Sequence, residues 1–316
     1  MIDQFGRNID YVRLSLTDSC NLHCHYCRPY AQAGGRKQLL TYEELLRLAG
    51  LLRALDIRKF KITGGEPLLR QGCTAFLKQL RAIAEQLTLT TNGLFLKGYV
   101  RELKEMRLDG INISLDSCRP EVYQAITGYG GLSQVQEAIR AAKAEGLFLK
   151  LNCVPLKPFV QDDLRRLLAF AEEEQLPLRF IELMPLSCNQ LYAGMTAGEL
   201  QELFSTLGYS LRHSNVQLGN GPAAYYEAEG LSIPIGFIEP IHGKFCQSCN
   251  RVRITADGLV KPCLYSGTTV DIGAMLRAGA ADERLSAALE QAILHKPKEH
   301  GFELEPAGFS MNSIGG

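Results

Sequence analysis

The stretch Cys20-Asn21-Leu22-His23-Cys24-His25-Tyr26-Cys27 sets three thiols within eight residues, at a C-x3-C-x2-C spacing. Thiolates this close converge on one inorganic centre, because they are the ligands that soft metals and iron-sulfur clusters select. A closed structural zinc site takes four protein ligands, and an electron-transfer cluster takes four cysteines. Three cysteines leave one metal position open to a small molecule, which turns a cluster from an electron store into a reaction centre. The competing reading is a zinc site completed by His23 or His25. Against it stands crowding, since both histidines alternate with the cysteines on one tight loop.

With the aromatic Tyr26 just before the last cysteine, the motif resembles the signature of the radical S-adenosylmethionine superfamily. The resemblance implies that Cys20, Cys24 and Cys27 hold a 4Fe-4S cluster. Its open iron would chelate the amine and carboxylate of S-adenosylmethionine, and one electron would split the cofactor to a 5′-deoxyadenosyl radical. The motif says nothing about the substrate.

The chain has 316 residues, 46% of them hydrophobic, with 34 basic and 34 acidic side chains in balance. It is long enough to bury a full core and carry an appended region. Zero net charge argues against a nucleic-acid or acidic-membrane surface, so an anionic ligand must be met by local arginines and lysines. No apolar run reaches a membrane span and the first residues lack a secretory layout, which makes the cytoplasm the expected compartment. Six of the ten cysteines fall into two tight groups, which reads as metal binding; Cys73, Cys118, Cys153 and Cys188 are expected to be buried small hydrophobes.

Short strand-like runs alternate with amphipathic helical runs over the first two-thirds of the chain. The strands are expected at Tyr11–Thr17, Arg58–Thr63, Gln86–Asn92, Gly110–Asp116, Leu147–Val154 and Leu178–Leu183. Helices are expected over Thr41–Leu55, Thr74–Glu85, Lys97–Met106, Ser133–Glu145 and Asp162–Gln175, the first opening on the capping box Thr41-Tyr-Glu-Glu44. Strict alternation implies parallel strands with right-handed crossovers. The expected fold is therefore α/β, a partial (β/α)6 barrel of TIM type with a C-terminal iron-sulfur-binding extension.

Five of the six strands also alternate in polarity, although parallel strands usually read as apolar throughout. Arg13, Ser15 and Thr17 share a face, as do Lys59, Lys61 and Thr63, then Thr88, Thr90 and Asn92, then Asn112, Ser114 and Asp116, and finally Lys150 and Asn152. Helices cover the apolar faces, so the polar faces must line the barrel, and a polar interior holds a ligand or water. At the end of the second strand, Lys61-Ile-Thr63-Gly-Gly-Glu-Pro67 puts two glycines where a backbone can come close to a ligand. This stretch resembles the superfamily's GGEP motif. By the same resemblance Tyr26, Gly65, Ser114 and Met184 would cradle S-adenosylmethionine.

Beyond about residue 186 the alternation lapses. A second capping box, Thr196-Ala-Gly-Glu199, leads to Gly- and Pro-broken strands from Tyr209 to Phe237. Then come Cys246-Gln-Ser-Cys249-Asn-Arg251-Val-Arg253 and, past the hairpin signal Asp257-Gly258, Cys263. Folding back at Asp257-Gly258 returns Cys263 to Cys249. Either a zinc ribbon with His242 as fourth ligand or a second open cluster beside an arginine-lined anion pocket satisfies this spacing.

With the terminal Gly315-Gly316, the whole pattern resembles the GTP 3′,8-cyclase family of molybdenum cofactor biosynthesis. The resemblance implies a second 4Fe-4S cluster on Cys246, Cys249 and Cys263, and GTP contacts by Arg13, Lys61, Thr90, Lys150, Arg179, Arg251, Val252 and Arg253, with Lys59 a looser match. It gives catalytic importance to the first three cysteines, to Arg251 and Arg253, and to Gly315 and Gly316 inserted as a tail. It implies cyclic pyranopterin monophosphate synthase acting downstream, a flavodoxin- or ferredoxin-type reductant, and a homodimer. Lys61 departs from the arginine that the family pattern expects two residues before Thr63; it keeps the charge but loses the bidentate fork. The stretches after Cys27 and Met184 are short for the family. Residues 1–210 are expected to form the radical barrel, and 211–316 the second-cluster and substrate region. An alternative activity is a radical enzyme modifying a peptide, where auxiliary clusters also hang on C-terminal cysteines; a non-catalytic cluster- or zinc-binding module is a third reading.

Overall fold

The computed structural model describes residues 1–27, 38–186, 192–265, 267, 269–301 and 311–314. Six strands lie side by side in chain order and parallel: β1 (Tyr11–Ser15), β2 (Lys59–Thr63), β3 (Gln86–Thr91), β4 (Gly110–Ser114), β5 (Leu149–Cys153) and β6 (Leu178–Ile181). The crossovers are α1 (Tyr42–Ala54), α2 (Cys73–Arg81), α3 (Val100–Glu105), α4 (Pro120–Thr127), α5 (Leu132–Ala144) and α6 (Gln161–Glu173). This is the expected strand–helix repeat, with element bounds displaced by up to four residues, the most at the end of α2. Helix α4 was not expected. Its start is marked by Pro120 in the first turn and its end by Gly128 at φ 71, but eight residues are too few for periodicity to announce it.

Both capping boxes form. Glu44 N–H donates to Thr41 Oγ1 at 3.1 Å while Glu44 Oε2 accepts from Thr41 N–H at 2.7 Å. The Thr196 and Glu199 pair does the same at 3.2 and 2.8 Å at the start of α7 (Ala197–Thr206). The apolar strand faces, including Val12, Leu14, Phe60, Ile62, Leu87, Leu89, Ile111 and Ile113, are buried under the helices in one continuous core. Burial on this scale is the main stabilising force of such a layer.

The C-terminal third supplies β7 (Leu211–Ser214), β8 (Ala224–Ala228), β9 (Ile235–Ile238), β10 (Arg251–Ile254), β11 (Leu259–Lys261) and β12 (Val270–Asp271). It also supplies α8 (Ile272–Arg277), α9 (Asp282–Leu294) and α10 (Met311–Ile314). These strands join the same sheet. β9 pairs parallel with β6, and β10 pairs parallel with β1, so eight parallel strands run β10-β1-β2-β3-β4-β5-β6-β9 with an antiparallel pair beyond each edge. Among the described residues no strand pairing joins β9 to β10. The connecting segment 239–250 starts at the carboxyl end of β9 and finishes at the amino end of β10, and therefore runs back against the direction of the parallel strands. No described helix is long and apolar enough to cross a membrane.

Candidate active site

The inward faces enclose a cavity of about 310 Å³ whose wall includes Arg13, Lys61, Thr63, Thr90, Asn112, Ser114, Asp116, Asn152, Arg179, Arg251 and Arg253. Most of the predicted polar faces thus line the lumen, with five exceptions. Ser15 and Thr17 are buried outside the cavity wall, Ser15 Oγ donating to the Thr17 carbonyl at 3.3 Å. Lys59 lies at the amino end of β2, where its Nζ donates to Asp10 Oδ2 at 2.7 Å. Thr88 is not part of the cavity wall. Lys150 is buried, and its Nζ donates to the Leu218 carbonyl at 2.7 Å beside the Phe148 ring. Alternation told which face each side chain takes; it could not tell what closes the lumen beneath it.

The first cysteine group follows the carboxyl end of β1. Cys20, Cys24, Tyr26 and Cys27 all face the cavity. The loop is docked on the end of α4, with the N–H groups of His23 and His25 donating to the carbonyls of Thr127 and Ile126 at 2.9 and 3.1 Å. From the opposite side the GGEP turn supports it. Gly65 N–H donates to Thr17 O at 2.6 Å and Glu66 N–H to Ser19 O at 2.8 Å. A Cβ on Gly65 would stand 2.3 Å from the Ser19 carbonyl oxygen, so glycine here is a matter of close approach. Asn92 Nδ2 donates to Asn21 Oδ1 at 2.9 Å and to Cys20 Sγ at 3.7 Å, and Tyr26 Oη donates to Asp116 Oδ2 at 2.9 Å.

Glu66 fastens this turn to β3. Fully buried, it accepts from Leu68 N–H at 3.1 Å, Thr91 Oγ1 at 2.8 Å and Asn92 N–H at 2.8 Å. Burial raises its pKa from 4.5 to about 7, against the pull of those donors. Because the folded value lies above the unfolded one, the neutral acid is favoured in the fold. Its stabilising contribution is full below pH 4.5 and is lost as pH rises through about 7. The swing is on the order of 3 kcal/mol. Denaturant unfolding at pH 5 and pH 8 should therefore show a smaller pH 8 deficit in Glu66→Gln than in the unaltered chain. Equal deficits would mean that Glu66 does not titrate with folding.

The second cysteine group lies at the other end. β10 begins two residues after Cys249 and runs beside β1 in the register Tyr11 to Arg251 and Arg13 to Arg253, whereas Cys20 follows the far end of β1. The hairpin expected at Asp257-Gly258 forms, pairing Arg253 with Lys261, and so returns Cys263 toward Arg251 and the strand that follows Cys249. Cys246, Cys249 and Cys263 all line the same cavity. His242 does not join them: its Nδ1 meets the Glu182 carboxylate, which also accepts from the N–H groups of Ile241 and His242 at 2.8 and 3.2 Å. His25 likewise stacks on Tyr192, with centroids 5.7 Å apart.

The donor sets fit clusters: each is a group of three thiols lining the cavity, the ligand type an iron-sulfur cluster takes. Burial, then Cys27, Asp116 and Cys20, pushes the Cys24 thiol well above its usual range, as expected of thiols that share one site.

Between the two groups the lumen is cationic. Burial lowers Arg13 to about 10 and Lys150 to about 8. Arg179 is lowered by burial, and Arg253 well below its usual value by burial and then by Arg13 and Arg251. Lys61 is driven well down by desolvation and then by Arg13, Arg179, Lys150 and Arg251. Charges so stacked call for an anion. Arg179 Nη2 donates to Asn112 Oδ1 at 2.5 Å and Asn112 Nδ2 to Thr90 Oγ1 at 3.4 Å, forming a polar belt. The buried atoms Arg179 Nε, Arg251 Nε, Thr63 Oγ1 and Asn152 Oδ1 have no hydrogen-bond partner among the described residues, and all four residues belong to the cavity wall.

Gly65, Ser114 and Met184 line the cavity and lie at or beyond the carboxyl ends of β2, β4 and β6, the end at which the first cysteine group follows β1. Val252 packs its side chain in the core and can offer the lumen only backbone. Cys73 and Cys153 are buried and Cys118 is half-buried, while Cys188, Gly315 and Gly316 lie outside the described residues. The tail reaches the site as far as Met311, which lines the cavity and packs near Leu186 with Met184, Ile241, Leu264 and Tyr265. Asp116, Glu182 and Lys296 were not singled out from the sequence. Asp116 carried a signal, its place on the polar face of the expected run Gly110–Asp116, two residues past β4; the other two lie outside any alternating pattern.

Residues 14–171 match the model of the Radical SAM superfamily, and residues 176–302 that of Molybdenum Cofactor Synthesis C. The chain is 36% identical over 309 residues to the GTP 3′,8-cyclase of Clostridium perfringens, with 96% of each chain covered. It is 40% identical over 326 residues to that of Moorella thermoacetica, covering 100% of both. Among solved structures, Streptococcus suis SuiB bound to S-adenosylmethionine aligns at a TM-score of 0.66 over 96% of this chain and 76% of that one. At 13% identity this is a likeness of fold alone.

Proposed function

The chain belongs to the GTP 3′,8-cyclase family of radical S-adenosylmethionine enzymes, and on that premise we propose that it converts GTP to 3′,8-cyclo-7,8-dihydro-GTP in the lumen. The observation that carries this reading is the placement of two three-cysteine groups at opposite ends of one cation-lined cavity. When bound, the first 4Fe-4S cluster and S-adenosylmethionine supply the radical that takes the ribose 3′ hydrogen, and the second cluster supplies an open iron for the base.

The chain's own residues do the rest. Cys20, Cys24 and Cys27 hold one cluster and Cys246, Cys249 and Cys263 the other. Tyr26, Gly65, Ser114 and Met184 orient the cofactor. Arg13, Lys61, Thr90, Arg179, Arg251 and Arg253 hold the triphosphate and base, Val252 contributing backbone. Lys150 joins them by exchanging its Leu218 carbonyl for phosphate. The apolar group around Leu186 keeps water from the cofactor end, where a carbon radical must meet only the intended hydrogen. Gly315 and Gly316 support the radical step. Residues 1–210 act as the radical barrel and 211–316 as the second-cluster and substrate region. A flavodoxin- or ferredoxin-type reductant supplies the electron, cyclic pyranopterin monophosphate synthase takes the product, and the assembly is a homodimer. A peptide substrate is not favoured, because the full-length likeness is to GTP 3′,8-cyclases.

Anaerobically reconstituted protein given GTP, S-adenosylmethionine and reductant should form the cyclised nucleotide and 5′-deoxyadenosine together. Cofactor cleavage indifferent to GTP would overturn the reading. Arg179→Ala and Arg253→Ala should each weaken GTP binding by roughly 1.5 to 3 kcal/mol, the worth of a charge-assisted contact. S-adenosylmethionine binding should stay near its original strength. Calorimetry showing equal losses of both ligands would mark the two arginines as structural.

A further inference from the structure

Two buried cations stand behind the second cysteine group. Arg7, 7% exposed, donates from Nε to Asp3 Oδ2 at 2.6 Å, and from Nη1 to the carbonyls of Cys246 and Lys298 at 3.0 Å each. Its Nη2 donates to Pro297 O at 2.8 Å and Lys296 O at 3.4 Å. Lys296, 2% exposed, donates from Nζ to Arg251 O at 2.8 Å and Pro262 O at 2.5 Å.

These acceptors are not scattered. They include the carbonyl of Cys246 itself, the carbonyl two residues beyond Cys249 and the carbonyl just before Cys263. One ammonium thus ties the strand leaving Cys249 to the strand entering Cys263, and one guanidinium holds both the Cys246 turn and the backbone that carries the ammonium. Neutral donors could cap such carbonyls, and a buried ammonium is costly unless negative charge lies close. Three thiolates supply that charge. Lys296 lines the same cavity as Cys246, Cys249 and Cys263.

We propose that Lys296, seated by Arg7, is a positioning residue of the second cluster: it sets Cys249 and Cys263 at cluster spacing and places one positive charge against their sulfurs. The inference rests on reading Cys246, Cys249 and Cys263 as cluster ligands. A cation there favours the reduced cluster, so its removal lowers the midpoint potential of whatever cluster remains, an effect that packing alone would not produce.

The test uses the full chain reconstituted anaerobically, with iron counting and paramagnetic resonance under potentiometric control. Lys296→Met is expected to fall from about eight irons per chain to about four, or to keep them with the second cluster's potential lowered. The first cluster's spectral response to S-adenosylmethionine should persist, and Lys296→Arg should restore iron. Lys296→Met with full iron and an unchanged second potential overturns the inference. If Lys296→Met is recovered without either cluster, Arg7→Gln decides: iron lost from the second site alone supports the inference, and both clusters at unaltered potentials overturn it. Unaltered protein holding only about four irons would instead overturn the reading on which the inference rests.

Discussion

Cys24→Ala is expected to hold about four irons per chain where the unaltered protein holds about eight, and to cleave no S-adenosylmethionine. Two thiolates cannot retain a cluster that three barely complete, and the cofactor has no other iron to chelate. Cys249→Ala should lose the other four or so irons by the same reasoning, but with a different outcome for chemistry. The second group lies at the amino end of β10, across the lumen from the cofactor. Its loss should leave S-adenosylmethionine bound while abolishing the cyclised nucleotide. Iron, sulfide and 5′-deoxyadenosine measured on the same samples separate the two cases. Zinc at Cys246, Cys249 and Cys263 in anaerobically prepared protein, or a single cluster in the unaltered chain, would refute the two-cluster reading.

Gly65→Ala is expected to be nearly as damaging, although it adds one methyl group. The new Cβ would lie 2.3 Å from Ser19 O, 2.6 Å from Ser19 C and 2.8 Å from Asp18 O. All three are backbone atoms, so nothing can swing aside. The Thr17–Ser19 segment must shift, giving up the Gly65 to Thr17 and Glu66 to Ser19 hydrogen bonds, and Cys20 is the next residue along. Displacing the reacting geometry by about 1 Å costs on the order of a hundredfold in rate. Turnover should fall by at least that, with the first cluster and S-adenosylmethionine binding depleted and the second cluster kept. Gly50→Ala is the control, since its Cβ meets nothing within 4 Å. If Gly65→Ala matches Gly50→Ala in iron content and rate, the GGEP turn does not support the cysteine loop.

Much of this could be read from the residues. The alternation of Lys61 and Thr63 with Phe60 and Ile62 assigned lumen and core faces correctly, because a strand's side chains have no choice but to alternate. Thr41 with Glu44 and Asp257 with Gly258 fixed a helix start and a hairpin, both being local chemistry. Other features depend on partners far away in sequence. Nothing in Ile235–Ile238 or Arg251–Ile254 announces that these strands extend opposite edges of one sheet. Lys150 shares a face with Asn152, yet its ammonium is held by a loop near residue 218 that periodicity cannot place. His242, a plausible metal ligand by spacing, is held by Glu182. Spacing names candidates, and burial and charge choose among them.

The arrangement of the sheet edges also orders events during synthesis. β1 leaves the ribosome long before its outer-edge partner Arg251–Ile254, and β6 waits for Ile235–Ile238. Until then the growing protein presents two unpaired parallel edges, the kind of surface that recruits chaperones or other chains. The same delay keeps the lumen open along one side after Cys20, Cys24 and Cys27 are already in place. The segment between those two strands, 239–250, brings Cys246 and Cys249 with it, so the second cysteine group is assembled only as these walls are added.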